Sequence, residues 1–253
     1  MYLLHSRLPA FKRKVERSMN RIREALETVQ PWAVSYSGGV DSSVLLDLVF
    51  SVGYRPIITW QSYGEIETIP GNRRMVEWVK SHYGTDVYEH KVYGEIEVFK
   101  RVGYFFLEPT TKEERAAVKW WWGQSFGELD AFIRDLGAKG HYWGILSTES
   151  DGRQKFISHY GHLHYAKKHQ LWASSPIHDW TKRDIWAYLV SRGLKWCDIY
   201  DHRLFNREET RNDFVLLAGD GAIRHGSFKF WETYDSEWWS GIVASCPEIK
   251  RYT

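Results

Sequence analysis

WAVSYSGGVDSSVLLDLV, residues 32–49, decides how this chain is read. Trp32 to Tyr36 has strand character, Ser37-Gly38-Gly39 breaks it, and the apolar pattern from about Ser42 to Phe50 predicts a helix that ends near Gly53. In an open parallel sheet, such a strand-to-helix turn lies where ligands bind, because the first helical turn offers unpaired N–H groups and the positive end of its dipole. Gly38 and Gly39 let the backbone approach an anion closely, and Ser37, Ser42 and Ser43 can donate hydroxyl hydrogen bonds to it. Asp41 either caps the helix or helps hold a metal ion against phosphates, and a tight turn with a capping Asp and no ligand uses the same residues. No Gly-Lys-Ser/Thr follows, which argues against an NTPase that cleaves the γ-phosphate.

Upstream, residues 9–29 predict an amphipathic basic helix, with Phe11, Val15, Met19, Ile22 and Leu26 at helical spacing and Pro31 closing it. Downstream, strands are expected over 56–60, 87–92 and 141–147. Helices are expected over 72–82 and 128–136, and again from Thr181, which is placed as a cap. TESDGRQ, 148–154, reads as a loop. Strands alternating with helices predict an α/β fold with a Rossmann-like parallel sheet of about five strands flanked by helices. Residues 115–132 and the tail beyond Leu204 are hard to pattern but aromatic, so they are expected as packed extensions. The expected organisation is an N-terminal helix (1–30), a main domain (31–204) and an aromatic C-terminal extension packed on that domain (205–253).

At 253 residues with a net charge of +2, the chain can bury a sizeable core and carries no global field toward nucleic acid or membrane. Cys197 and Cys246 are too few for a four-thiolate iron–sulfur or zinc site. No apolar run is long enough for a signal peptide or membrane span, so a soluble, cytoplasmic protein is expected. The 14 Trp, 15 Tyr and 12 Phe supply core mass. They also supply platforms for bases and a surface on which a homo-oligomer could form.

Ser37-Gly38-Gly39-Val40-Asp41-Ser42 resembles the PP-loop of the ATP pyrophosphatases, of adenine nucleotide alpha hydrolase type. Glu67-Thr68 after the second strand, Gly144 with Glu149-Ser150-Asp151-Gly152-Arg153, the helix Pro176 to Leu189 and Ile199-Tyr200-Asp201 resemble, in the same order, the phosphoadenosine phosphosulfate (PAPS) reductase branch. The resemblance covers about residues 30–203. It implies nucleotide contacts from Ser35, Ser37, Gly38, Gly39, Val40, Asp41, Ser42, Trp60, Gly144 and Arg153, with Asp41 and Arg153 catalytic and Asp41 a ligand of Mg²⁺. The implied enzyme binds ATP–Mg²⁺, cleaves between the α and β phosphates, adenylates an acceptor and releases pyrophosphate. It would use neither an iron–sulfur cluster nor zinc, and nucleic acid is among the candidate acceptors.

The chain departs from that branch at two points. Its reductases carry a reactive cysteine in a Glu-Cys-Gly-Leu/Ile-His segment, whereas Cys246 lies in ASCPEIKRY, without the glycine or the histidine. Leu146 stands where the branch has an arginine. A PAPS or adenylylsulfate reductase or sulfurtransferase, and a non-catalytic nucleotide-binding module associated with nucleic acid, are the alternatives. His159, His162, His164 and His169 are irregularly spaced for zinc and read as a solvated face or as contacts to a second substrate's phosphates. The KWWWGQSF run, 119–126, is expected to pack on the sheet, because adjacent tryptophans point in different directions. Asp41, Glu65, Glu67 and Asp179 are the carboxylates expected near strand ends, from which one or two would hold magnesium.

Overall fold

The computed structural model of the chain describes residues 1–202, 206–212, 214–217 and 226–253, apart from the side chains of Glu65 and Phe126. Six strands form one sheet in the order β3-β2-β1-β4-β6-β5. They are β1 (Trp32–Ser35), β2 (Ile57–Tyr63), β3 (Tyr88–Val92), β4 (Gly140–Tyr142), β5 (Leu163–Ala166) and β6 (Leu171–Ser174). All neighbours pair in parallel except β5, which runs antiparallel to β6 at the edge. The chain moves outward from β1 to β2 and β3, then crosses to β4 on the other side. The ends of β1 and β4 are therefore the point where the winding reverses, and loops there diverge to leave a crevice.

Helix α1 (Tyr2–Ser6) leads into α2 (Pro9–Thr28), which starts with proline at its first position, where a missing N–H costs nothing. The buried Phe11, Ile22 and Ala25 of α2 face the core, where Trp180 donates its indole N–H to Ser18 Oγ at 2.9 Å. Helix α3 (Val40–Ser51) starts two residues before the expected Ser42. It is buried almost all round, as a helix that is apolar on every face must be.

Among the described residues, the remaining α-helices are α4 (Gly64–Glu67), α5 (Pro70–Tyr83), α6 (Ile96–Val102), α7 (Lys112–Trp122), α8 (Glu128–Asp135), α9 (Asp151–Tyr160), α10 (Lys182–Arg192), α11 (Ser227–Tyr234) and α12 (Ser236–Ser245). Thr181 caps α10 in a reciprocal box with Asp184, as expected from the sequence. The extension packs inward through Phe228, Phe230, Trp231, Trp239 and Ile242.

Three expectations need correction. Strand 141–147 stops at Tyr142, because the following residues turn over the start of α3: a Cβ on Gly144 would lie 3.7 Å from the backbone of Asp41 and Ser42. The expected loop 148–154 contains a short 3-10 turn (Ser147–Glu149) and the start of α9, which Ser150 caps by accepting from the Arg153 N–H at 3.2 Å. Residues 158–170 are not one solvated face but include β5, whose hairpin with β6 adds the sixth strand.

Candidate functional site

Ser37 is held by Ser42: the Ser37 N–H donates to Ser42 Oγ at 3.2 Å, and the two hydroxyls lie 3.1 Å apart. Ser42 and Ser43 donate in turn to the Gly39 carbonyl at 3.0 and 2.9 Å. Gly38 sits at φ +78°, which L side chains rarely adopt, and a Cβ there would meet Asn72 Oδ1 at 2.7 Å. Glycine is thus required twice over, by conformation and by space.

The N-cap of α3 is Gly39, which has no side chain to cap the helix, and the Tyr200 hydroxyl accepts from the Val40 N–H at 3.4 Å. Asp41 therefore does not do the capping that one reading of its position allowed. Its Oδ2 accepts from Lys182 Nζ at 2.6 Å, while Oδ1 is buried and without a hydrogen-bond partner. Lys182 also reaches Glu149 Oε1 at 2.7 Å, and Glu149 pairs with Arg153, so charges alternate Asp41, Lys182, Glu149, Arg153 across the reversal between β1 and β4. Arg153, at 46% side-chain exposure, can release Glu149 for an incoming anion at little cost. Leu146 is fully buried beside this chain and contributes packing where the resembling branch has a cation. Lys182 was not among the expected site residues; its place at the start of a capped helix was visible, but its reach to Asp41 across 141 positions was not.

On the other side of the turn lies a cavity of about 490 Å³. Ser35, Ser37 and Trp60, three of the positions at which the sequence resemblance implied nucleotide contacts, line it together with Asn72 and Asn212. Gly38, Gly39, Val40, Asp41 and Ser42 form the turn itself, and Gly144 and Arg153 stand on the far side of it. Ser35 Oγ lies 2.8 Å from His141 Nε2, and Trp143 Nε1 donates to His141 Nδ1 at 2.8 Å. Burial holds the His141 pKa below its usual value. Neutral His141 therefore donates from Nε2, which leaves the Ser35 hydroxyl proton for Thr59, 3.2 Å away, or for a ligand.

The cavity continues to Glu67, which is 7% exposed and accepts the Ile96 N–H on both oxygens at 3.1 Å. Burial first, and the neighbouring Glu95 second among the raising influences, push its pKa from 4.5 up to about 8. Trp121 and Trp122 also line the cavity. Trp121 packs as expected, buried with its indole N–H on the Tyr93 carbonyl, but Trp122 is 52% exposed.

Among the described residues no cluster of three or more His, Cys, Asp or Glu side chains is placed to hold a metal ion, and Asp41, whose Oδ1 has no hydrogen-bond partner, would supply at most one carboxylate to a magnesium held otherwise by phosphate oxygens. Asp179 does not fit, being tied to Arg17 and Arg21 at 2.6 and 2.7 Å. Glu67 does not fit either while it holds its proton, and the Glu65 side chain lies outside the described residues. The four histidines are engaged by neighbours rather than turned toward one another: His162 pairs with Glu24 and His169 with Asp130, while His159 and His164 both pack on Tyr160. Cys246 is buried, and burial pushes its thiol up to about 11, while Cys197 is pushed to about 12. No helix among the described residues is long and apolar enough to cross a membrane.

Known proteins with this architecture include the PAPS reductase of Candida auris, solved as a phosphate complex. It superposes with a TM-score of 0.53 at 14% identity over 76% of this chain and 89% of that one. Yeast FAD synthetase in complex with FAD superposes at 0.50 and 14% identity, covering 76% of this chain and 62% of its own. At such identity the likeness is one of fold. A search of curated proteins finds no match. At the level of sequence pattern, residues 31–207 match the family described as phosphoadenosine phosphosulfate reductase domain. That span holds the glycine turn, the Gly144–Arg153 segment and the capped helix α10. This chain belongs to that family.

Proposed function

We propose that the protein binds ATP with Mg²⁺ at the Ser37–Ser42 turn and transfers the adenylyl group to an acceptor, with pyrophosphate as the leaving group. The observation that carries this reading is the α3 N-terminus. Its N-cap, Gly39, has no side chain, while Asp41, the residue placed to cap it, keeps one carboxylate oxygen buried and unpartnered. Such an end favours an anion through its dipole and N–H groups. Bound magnesium would neutralise charge on the leaving pyrophosphate. The chain's own part is positioning: the acceptor nucleophile bonds to the α-phosphorus as the bond to the β-phosphate oxygen breaks. Lys182 and Arg153, freed from Glu149, hold the departing charge.

A reductase would need a thiolate, and Cys197 and Cys246 are both buried with raised pKa values, so neither is poised as that nucleophile. The test is calorimetric titration with ATP, ADP, AMP and PAPS in Mg²⁺, repeated on Asp41→Ala and Arg153→Ala. ATP should bind best, with each variant weakening it about tenfold, in line with the loss of one charge-assisted contact. A preference for PAPS unaffected by Asp41→Ala would overturn the proposal.

A further inference from the structure

Helix α9 buries none of its ten residues. A helix that short is marginal in water by itself and is ordinarily held by burying an apolar face, so the outer side of α9 lacks the packing that the other long helices have. It rests on the sheet end through Phe156, whose ring lies 5.8 Å from that of Trp143 and 5.5 Å from that of His164. After Tyr160 the chain turns at Gly161 into β5, the outermost strand. Helix and strand thus form one continuous surface from the charge chain beside Asp41 to the sheet edge, a path of about 28 Å.

The charge on this path is one-sided. Between Asp151 and Asp179 the sequence has no Asp or Glu, but it has Arg153, Lys155, Lys167 and Lys168. All four are exposed, and the three lysines pair with no carboxylate among the described residues. The carboxylates that reach the surface are engaged, Glu149 with Arg153, Glu24 with His162 and Asp130 with His169; Asp151, exposed at the start of α9, is the exception. Lysines at a sheet edge also deter pairing with another edge, but that accounts for the two in the β5–β6 turn and not for a cationic helix. Two rings stand among the cations: Tyr160 is 51% exposed and Tyr165 49%, and His159 and His164 hold Tyr160 in place.

We propose that α9 and the β5–β6 hairpin form a docking surface for a single-stranded nucleic acid, with phosphates along Lys155, Lys167 and Lys168 and bases stacked on Tyr160 and Tyr165. Charge selects the class of partner, because exposed lysines without counter-charges along one path match a chain of phosphates. The rings select the single strand, since unpaired bases present their faces to a side chain and paired ones do not. A strand laid on this path reaches Arg153 and the glycine turn, which is where an acceptor has to stand. Only that last point rests on the proposed function; the docking does not.

The test uses the full chain and measures, by fluorescence anisotropy without ATP, binding of a labelled oligothymidylate of about twelve nucleotides, alone and annealed to oligoadenylate, with polyglutamate as an unlabelled competitor. The proteins are wild type, the triple variant Lys155→Ala, Lys167→Ala, Lys168→Ala, and Tyr160→Ala. Wild type should bind the single strand with a slope of log affinity against log salt of about −2, at ~0.7 for each lysine–phosphate contact. The triple variant should bind about tenfold or more weakly at low salt, with a slope near zero. Tyr160→Ala should bind about fivefold or more weakly with its slope unchanged. The substituted side chains are exposed, and unchanged thermal midpoints show that the variants are folded.

Calorimetry with ATP separates the two proposals. Lysine-dependent strand binding by a protein that binds no ATP keeps the surface and refutes the proposed function, and ATP binding without strand binding does the reverse. Strand binding indifferent to the triple variant overturns the surface, as does a duplex bound as tightly as the single strand with Tyr160→Ala without effect. Displacement of the strand by polyglutamate at equal charge would make the partner an acidic polypeptide and overturn it too.

Discussion

Glu67→Gln should leave stability nearly unchanged at acid pH and raise it at alkaline pH. In the native state this carboxyl keeps its proton up to about 8, whereas the ordinary value is 4.5. Between those limits the folded protein holds a proton that the unfolded chain has released, so stability falls as pH rises through the window. At about 1.4 kcal/mol per pH unit, the interval sets a ceiling of about 5 kcal/mol on what is lost by pH 8. Desolvation is the largest cause, and Glu95 adds to it. The Ile96 N–H and Lys100 oppose it, and the buried Cys246 thiol stands near enough to feel the charge.

Glutamine has nearly the same shape, never ionises and can accept the Ile96 N–H. Urea unfolding of both proteins from pH 5 to pH 9 should give stabilities within about 1 kcal/mol of each other at pH 5. By pH 9 the variant should be the more stable by about 2 to 5 kcal/mol. Taking the difference between the two proteins removes the histidines, which titrate alike in both. A difference that stays flat across the range would refute the assignment of a buried neutral carboxyl.

Gly38→Ala should cost about 1 to 2 kcal/mol from its φ of +78° alone, and more from contact with Asn72, with loss of ATP binding measured by calorimetry. Lys182→Met leaves Asp41 and Glu149 without their shared cation. It should weaken ATP binding about tenfold while moving the thermal midpoint by only a few degrees, since the pair is partly exposed. Asp184→Ala removes the α10 capping box together with the partner of Lys14 and His5. A loss of about 2 to 4 kcal/mol in denaturant unfolding is expected. Its partners hold the Asp184 pKa near 2 against an ordinary 3.8, so its contribution is full above 3.8 and disappears as pH falls toward 2. Cys246→Ser should leave pyrophosphate release unchanged; its abolition with the fold intact would revive thiol chemistry.

Local signals carried the parts of the fold with strong periodicity. The turn at 37–42, the amphipathic α2 and the Thr181 cap were readable because neighbours along the chain make their own case through spacing and capping chemistry. The β5–β6 hairpin was not, since strands of four residues are too short to show alternation. Helix α9 escaped because it buries no residue and so has no apolar stripe. Leu146 read as a missing contact, and only the fold shows it as core.

For this protein, the sequence by itself determined the α/β class and the family membership that its motifs implied. Tertiary structure alone decided the rest. Lys182 meets Asp41 because two helix starts face each other at the reversal between β1 and β4. Glu67 keeps its proton because α4, α6 and the C-terminal extension shut water away from it. Charge pairing and desolvation depend on distance and solvent in three dimensions, and neither is a property of any short stretch of sequence.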